Sequence, residues 1–149
     1  FNSKIHVYDP YVKIDNLNKV ESLKELVEVS DVIAIHVHVT DETKEMINEE
    51  VLSYCKCNMI MVNTSRGEII EEHSMINFLK KNPNSKYYTD VVSSENLDKE
   101  SSPIYDNFRS GKLNNQIIVT PHVGGVTHDA RYIAYNHAAK LLIDYFHEW

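Results

Sequence analysis

Short apolar runs alternate with stretches of helical periodicity along the whole chain, and this alternation limits the possible folds more than any other feature. Ile5–Tyr8, Asp31–Val39, Met59–Val62, Tyr87–Val92 and Ile117–Thr120 read as strands. Asp31–Val39 is a β-branched run (Val32, Ile33, Ile35, Val37) of the kind found in buried parallel strands. Between the strands, Ser22–Val29 (Leu23, Leu26, Val27), Asn48–Tyr54 and Glu71–Lys81 (Met75, Ile76, Leu79) read as helices from their spacing. In Asp129–Trp149, Ile133, Ala134, His137, Ala138, Leu141, Leu142 and Tyr145 mark a long amphipathic helix. Strands and helices alternating at this spacing make βαβ units, so the expected fold is α/β with a doubly wound parallel sheet. The polar stretch Ser93–Asn115 is long for a structureless connection. Its length predicts either a turn of helix near Pro103–Phe108 or a loop with a function.

Composition narrows the function classes. A chain of 149 residues has room for one domain with a real core and hardly for two. Hydrophobic residues at 42% and charged residues at 25% are those of a soluble globular protein. No apolar run approaches the roughly 20 residues of a membrane span, and no signal peptide is visible. A net charge of −7 without a clustered Lys/Arg surface argues against nucleic acid. Cys55 and Cys57 make a poor disulfide framework, so reduced thiols and a cytoplasmic location are expected. His36 and His38 with Cys55 and Cys57 match no strong zinc spacing, and no metal is expected.

Ligands of open α/β sheets bind at the carboxyl ends of the strands. The residues just past each strand are therefore informative: Asp9-Pro10; His36-Val37-His38-Val39-Thr40; Asn63-Thr64-Ser65-Arg66-Gly67; Asp90, with Glu95 five residues on; and Thr120-Pro121-His122-Val123-Gly124-Gly125. An arginine, a glutamate and a histidine at neighbouring strand ends can converge on one crevice.

Three of these segments, Asn63–Ile70, Asp90-Val91 with Glu95, and Thr120–Gly125, together resemble the D-isomer-specific 2-hydroxyacid dehydrogenases, in which they recur in this order. The resemblance runs from about Ile5 to the C-terminal helix and implies a Rossmann-like NAD-binding domain. It also implies hydride transfer between NAD and a small D-2-hydroxy acid or 2-oxo acid. The chemistry asks for a cation to grip the substrate carboxylate, and the planar guanidinium of Arg66 suits that. It asks for an acid–base group working near neutral pH, the imidazole of His122. A carboxylate on the far ring nitrogen would fix the tautomer and raise the pKa, the part of Glu95. The resemblance assigns the same roles. Asp9, ending the second Rossmann strand, would bond the adenosine ribose and favour NAD over NADP, though it could also cap the turn before Pro10. By resemblance Asp90 would hold the nicotinamide carboxamide, and Val37, Thr64 and the His122–Gly125 turn, including Gly124, would contact the cofactor. Gly124-Gly125 looks more like the phosphoglycerate and glycerate branches than the D-lactate branch.

Some expected parts are not found. The chain opens on Phe1 and enters a strand at once, and no G-x-G-x-x-G turn precedes Asp9. The expectation is a partial NAD-binding domain over 1–149, cut on its N-terminal side, with helix 129–149 packing towards an absent substrate domain. The family usually has proline at His38, aspartate at Glu71 and smaller residues at Tyr87-Tyr88, and often has a proline soon after Glu95. A homodimer is expected of the full-length protein. A non-catalytic NAD(H)-sensing or corepressor-like module is the competing reading; the acidic surface and the unsubstituted Arg66, Glu95 and His122 favour the enzyme.

Overall fold

The computed structural model describes residues 3–12, 18–93 and 102–147. Glu95 lies outside the described residues, as does most of the 93–102 crossing. The elements run β1 (His6–Val7), β2 (Asn18–Lys19), α1 (Leu23–Val29), β3 (Val32–Ile35), α2 (Glu49–Ser53), β4 (Ile60–Asn63), a 3-10 turn (Gly67–Ile69), α3 (Glu72–Lys81), β5 (Lys86–Thr89), α4 (Pro103–Arg109), β6 (Ile117–Val119) and α5 (His128–His147). Every pairing is parallel: β1 with β2, and separately β3-β4-β5-β6 in that order. The architecture is the expected Rossmann-like α/β fold.

The helices start where the sequence supplies acceptors for orphan N–H groups. Ser22, Asn48, Glu71 and Ser102 cap α1, α2, α3 and α4 through their side chains, and Pro103 begins α4 with no donor to satisfy. Helix α4 fulfils the expectation of a helical turn near Pro103–Phe108 inside the long polar stretch.

Register sorts the sheet into two faces. The rows Ile33–Met61–Tyr87–Ile117 and Ile35–Asn63–Thr89–Val119 point to one side. The first of these rows packs with Val27, Leu52, Met75, Leu79 and Ile104 from α1–α4 in a single core. Fully burying such side chains contributes roughly 1.5–3 kcal/mol each. The opposite face carries Val32, Ala34, Ile60, Val62, Tyr88 and Ile118; Val32 is 60% exposed and Ile118 48%.

Two expected strands end early, and one strand was not expected. The Asp31–Val39 strand ends at Ile35, because its last partner on β4 is Asn63. Beyond it the chain turns, with the Thr43 hydroxyl donating to the His38 carbonyl at 2.5 Å. The Tyr87–Val92 strand runs Lys86–Thr89 instead; Thr89 Oγ1 bonds both the N–H and the carbonyl of Val91 and folds the chain out of the sheet. The two-residue β2 is too short for any periodicity to announce it. Helix α5 forms as expected, yet none of its described residues is buried. Tyr132, Ile133, Leu141, Leu142, Ile143 and Phe146 are all exposed, so apolar side chains occupy more than the one expected stripe.

Candidate functional site

The last paired row of the sheet is Ile35–Asn63–Thr89–Val119, so His36, Thr64, Asp90 and Thr120 leave it side by side. Adjacent strands lie about 4.8 Å apart. This edge therefore gathers Val37 beyond β3, Thr64 and Arg66 beyond β4, Asp90 beyond β5, and His122 and Gly124 beyond β6, as the sequence reading expects. Val37, Thr64, Arg66, His122 and Gly124 are exposed, and Asp90 is half-buried.

Each projecting loop is shaped from below. Buried Asn63 accepts from the Ser65 N–H at 3.0 Å and donates to the Arg66 carbonyl at 2.8 Å, while the Ser65 hydroxyl donates to the Ile35 carbonyl at 3.0 Å. These bonds fold Asn63–Arg66 into a tight arch that lifts Arg66 clear of the core. Arg66 Nη1 rests on the Ser65 carbonyl at 2.6 Å. Tyr87, where small residues are usual, does not intrude on this edge. It is buried on the helix side of the sheet, and its hydroxyl accepts from Asn63 Nδ2 at 3.4 Å. Burial raises its phenol pKa to about 12, so it stays a neutral prop under the arch.

Asp90 organises the histidine turn. One carboxylate oxygen accepts from the Thr120 hydroxyl and from the Val123 N–H at 3.2 Å; the other accepts from the Gly124 N–H at 3.0 Å. Burial pushes its carboxyl pKa up, but the bonds from Thr120, Gly124 and Val123 and the nearby His122 outweigh that and hold it below the usual aspartate value. Within the bracketed turn His122 has φ 53°, the left-handed region that a non-glycine residue seldom enters. Such strain persists where surrounding bonds impose it, and it clusters at functional sites. A Cβ on Gly124 would stand 3.1 Å from Asp90 Oδ2, so glycine keeps the approach to that carboxylate open.

Asp9 follows β1, in the other sheet. Its Oδ1 caps the next turn, accepting from Tyr11 N at 2.9 Å and Val12 N at 3.1 Å. The turn-capping reading therefore holds for one oxygen, and no bond to Oδ2 is found among the described residues. The Tyr11 hydroxyl donates to Glu42, tying this turn to the segment beyond β3 and raising the phenol pKa through that bond and the carboxylate charge. The exposed strand ends carry carboxylates at Asp9 and Asp90, groups of the kind that accept ribose hydroxyls or an amide N–H, and a glycine at Gly124 that leaves one carboxylate accessible. Among the described residues no group of three His, Cys, Asp or Glu could hold a metal ion, and no helix is long and apolar enough to cross a membrane.

Two residues to which the sequence reading gave no structural part help build this edge. A Cβ on Gly67 would meet Val92 C at 2.0 Å and Ser93 N at 2.2 Å, so the exit of β5 lies directly against the chain after Arg66. Glu72 is 6% exposed and binds that same exit. Its sequence signal is a carboxylate in the buried stripe Glu72, Met75, Ile76, Leu79.

A four-stranded parallel sheet with helices between its strands is a fold of the Rossmann kind, in which ligands bind at the carboxyl ends of the strands. Residues 1–124 match the D-isomer specific 2-hydroxyacid dehydrogenase NAD binding domain, and the chain belongs to that family. Glyoxylate reductase of Thermococcus litoralis is 36% identical over 118 residues, covering 79% of this chain and 33% of that protein. D-3-phosphoglycerate dehydrogenase of Bacillus subtilis is 29% identical over 137 residues, covering 88% and 24%. Among solved structures, NAD+-bound 3-phosphoglycerate dehydrogenase of Entamoeba histolytica superimposes with a TM-score of 0.76 at 29% identity, covering 95% of this chain and 43% of that one. D-lactate dehydrogenase of Aquifex aeolicus, complexed with NAD and lactic acid, gives 0.76 at 27% identity, covering 97% and 46%. The chain thus spans 24–40% of the length of the first curated relatives it matches.

Proposed function

We propose that the protein carrying this chain is an NAD-dependent dehydrogenase that interconverts a small 2-oxo acid and its D-2-hydroxy acid. The observation that carries this reading is the convergence of Arg66, Asp90 and His122 on adjacent strand ends, with Asp90 bracketing the histidine turn. Bound NADH supplies the hydride. The Arg66 guanidinium grips the substrate carboxylate, and His122 protonates the carbonyl oxygen during reduction and takes the proton back during oxidation. Glu95 bonds the far ring nitrogen and holds the imidazole in one tautomer. Asp9 Oδ2 receives a ribose hydroxyl and disfavours a 2′-phosphate. Val37 and Thr64 line the path to Asp90, which takes the carboxamide, and Gly124 leaves room for it. Gly124-Gly125 favours a phosphoglycerate- or glycerate-like acid.

Helix α5 belongs against the substrate domain, since a helix with apolar residues on several sides is covered in its working state. The protein works as a cytoplasmic homodimer. The test is NADH oxidation by the full-length protein against a panel of 2-oxo acids, with His122→Asn as control. Asparagine tolerates the left-handed backbone of His122 but transfers no proton. Turnover of a 2-oxo acid, lost in the variant, supports the reading. NADH binding without turnover of any panel member sinks it and favours a sensor.

A further inference from the structure

In the buried row Ile33–Met61–Tyr87–Ile117, Tyr87 alone carries a hydroxyl, and it is 2% exposed. Phenylalanine would fill the same space without the cost of taking a polar group out of water. The bonds of that hydroxyl explain the exception. It accepts from Asn63 Nδ2 at 3.4 Å, and the Thr89 side chain bonds it as well. Asn63 is itself fully buried. Its amide donates one N–H to the Arg66 carbonyl at 2.8 Å and the other to Tyr87, while Oδ1 accepts from the Ser65 N–H at 3.0 Å. Two main-chain groups of the arginine arch therefore hang on this amide. The main chain of Asn63 is fixed too, its carbonyl accepting from the Asp90 N–H and the Thr89 hydroxyl, each at 3.1 Å. The amide is thus the joint between a rigid sheet end and the exposed arginine. Tyr87 braces that joint from the core.

We propose that Tyr87 is a positioning residue for the 2-hydroxyacid reaction: its buried hydroxyl locks the Asn63 amide and so sets where Arg66 presents its guanidinium to the substrate carboxylate. The proposal rests on the role given to Arg66 above. Tyr87 touches neither substrate nor cofactor and acts through the arch it braces.

The experiment compares Tyr87→Phe, Arg66→Lys and the double variant in the full-length protein, by initial rates with varied NADH and varied 2-oxo acid. Phenylalanine keeps the ring and removes the hydroxyl, leaving one buried N–H of Asn63 without its acceptor. The amide shifts towards another acceptor, and the arch moves with it. KM for the 2-oxo acid rises roughly 3–10-fold, the factor that one net hydrogen bond represents. A weaker grip on a carboxylate held equally before and during the reaction leaves kcat within about twofold of wild type. KM for NADH stays near wild type, because Asp9 and Asp90 keep their bonds. A general loosening of the fold would instead weaken both ligands. In Arg66→Lys the planar fork is already gone. Adding Tyr87→Phe to it raises KM little further, as expected of residues acting one through the other.

An unchanged KM for the 2-oxo acid in Tyr87→Phe, with or without a lower melting temperature, overturns the proposal. Equal losses for NADH and the 2-oxo acid overturn it too, as does an undiminished further loss in the double variant. If Tyr87→Phe fails to fold, Tyr87→Met takes its place with the same expected split, since it also lacks the hydroxyl and its flexible side chain fills irregular space. If Arg66→Lys itself leaves KM for the 2-oxo acid unchanged, the role of Arg66 falls and takes this route with it, an outcome distinct from a silent Tyr87→Phe.

Discussion

Replacing Gly67 with alanine adds one methyl group where the structure has no space for it. The new Cβ would stand 2.0 Å from Val92 C, 2.2 Å from Ser93 N and 2.3 Å from Val92 O. Ordinary contact begins near 3.4 Å, so the backbone beyond β5 must retreat by about 1.4 Å, the difference from 2.0 Å. All three obstacles are main-chain atoms, which cannot rotate away as a side chain could. Retreat pulls Ser93 from Glu72, where its bonds of 2.8 and 2.7 Å tolerate little stretch. Overpacking of this kind costs about 1–3 kcal/mol, which lowers Tm by roughly 3–10 °C in a domain of this size. A displacement near 1 Å in a site-forming segment costs about 100-fold in turnover. The assay pairs thermal unfolding with kcat for a 2-oxo acid, measured well below Tm so that stability and positioning separate. A Gly67→Ala protein with wild-type Tm and wild-type kcat refutes the close approach. One that loses stability alone refutes the link between that approach and the chemistry.

Three further outcomes are expected from the same structure. Glu71→Ala removes the acceptor for the N–H groups of His73 and Ser74 and should destabilise by about 1 kcal/mol in urea titrations, whereas Glu71→Asp should cost less. The Asp90 pKa is depressed in the fold, so its bonds stabilise above the unfolded value of about 3.9 and are lost as pH falls through the folded value. The urea midpoints of wild type and Asp90→Asn should therefore separate near neutrality and converge in acid; a constant gap contradicts the assignment. Burial lifts the Cys55 thiol pKa to about 11 while Cys57 is exposed, so iodoacetamide at pH 8 should label Cys57 first by peptide mass mapping.

The sheet was readable because its strands are apolar on both sides, as at Val32–Ile35 and Ile60–Val62, although among the described residues only one side is fully buried. Strand ends were less so. Val37 and Val39 continue the β-branched pattern of β3, yet pairing stops at Ile35 because β4 offers no partner past Asn63. Arg66, Asp90, His122 and Gly124 could be assigned to one edge because strand order fixes where strand ends emerge. The bonds that shape that edge were hidden. Nothing local in the sequence tells that Asn63 folds back on Arg66 or that Gly67 faces the exit of β5, since these contacts depend on how the chain turns at the sheet edge. Glu72 left a trace, a charge within an apolar stripe, but its partners lie 21 and 30 residues away. Tyr87, where the family usually has a smaller residue, alternates to the helix side of the sheet and meets Asn63 from below the arginine arch.

The central claim, reduction of a 2-oxo acid to the D-enantiomer, is tested most directly by chiral chromatography of the product. The full-length protein would be given NADH and its best 2-oxo acid, and the 2-hydroxy acid formed would be resolved. Formation of the D-2-hydroxy acid alone, one per NADH oxidised, is the predicted result. An L or racemic product, or NADH consumption without a 2-hydroxy acid, would contradict the account.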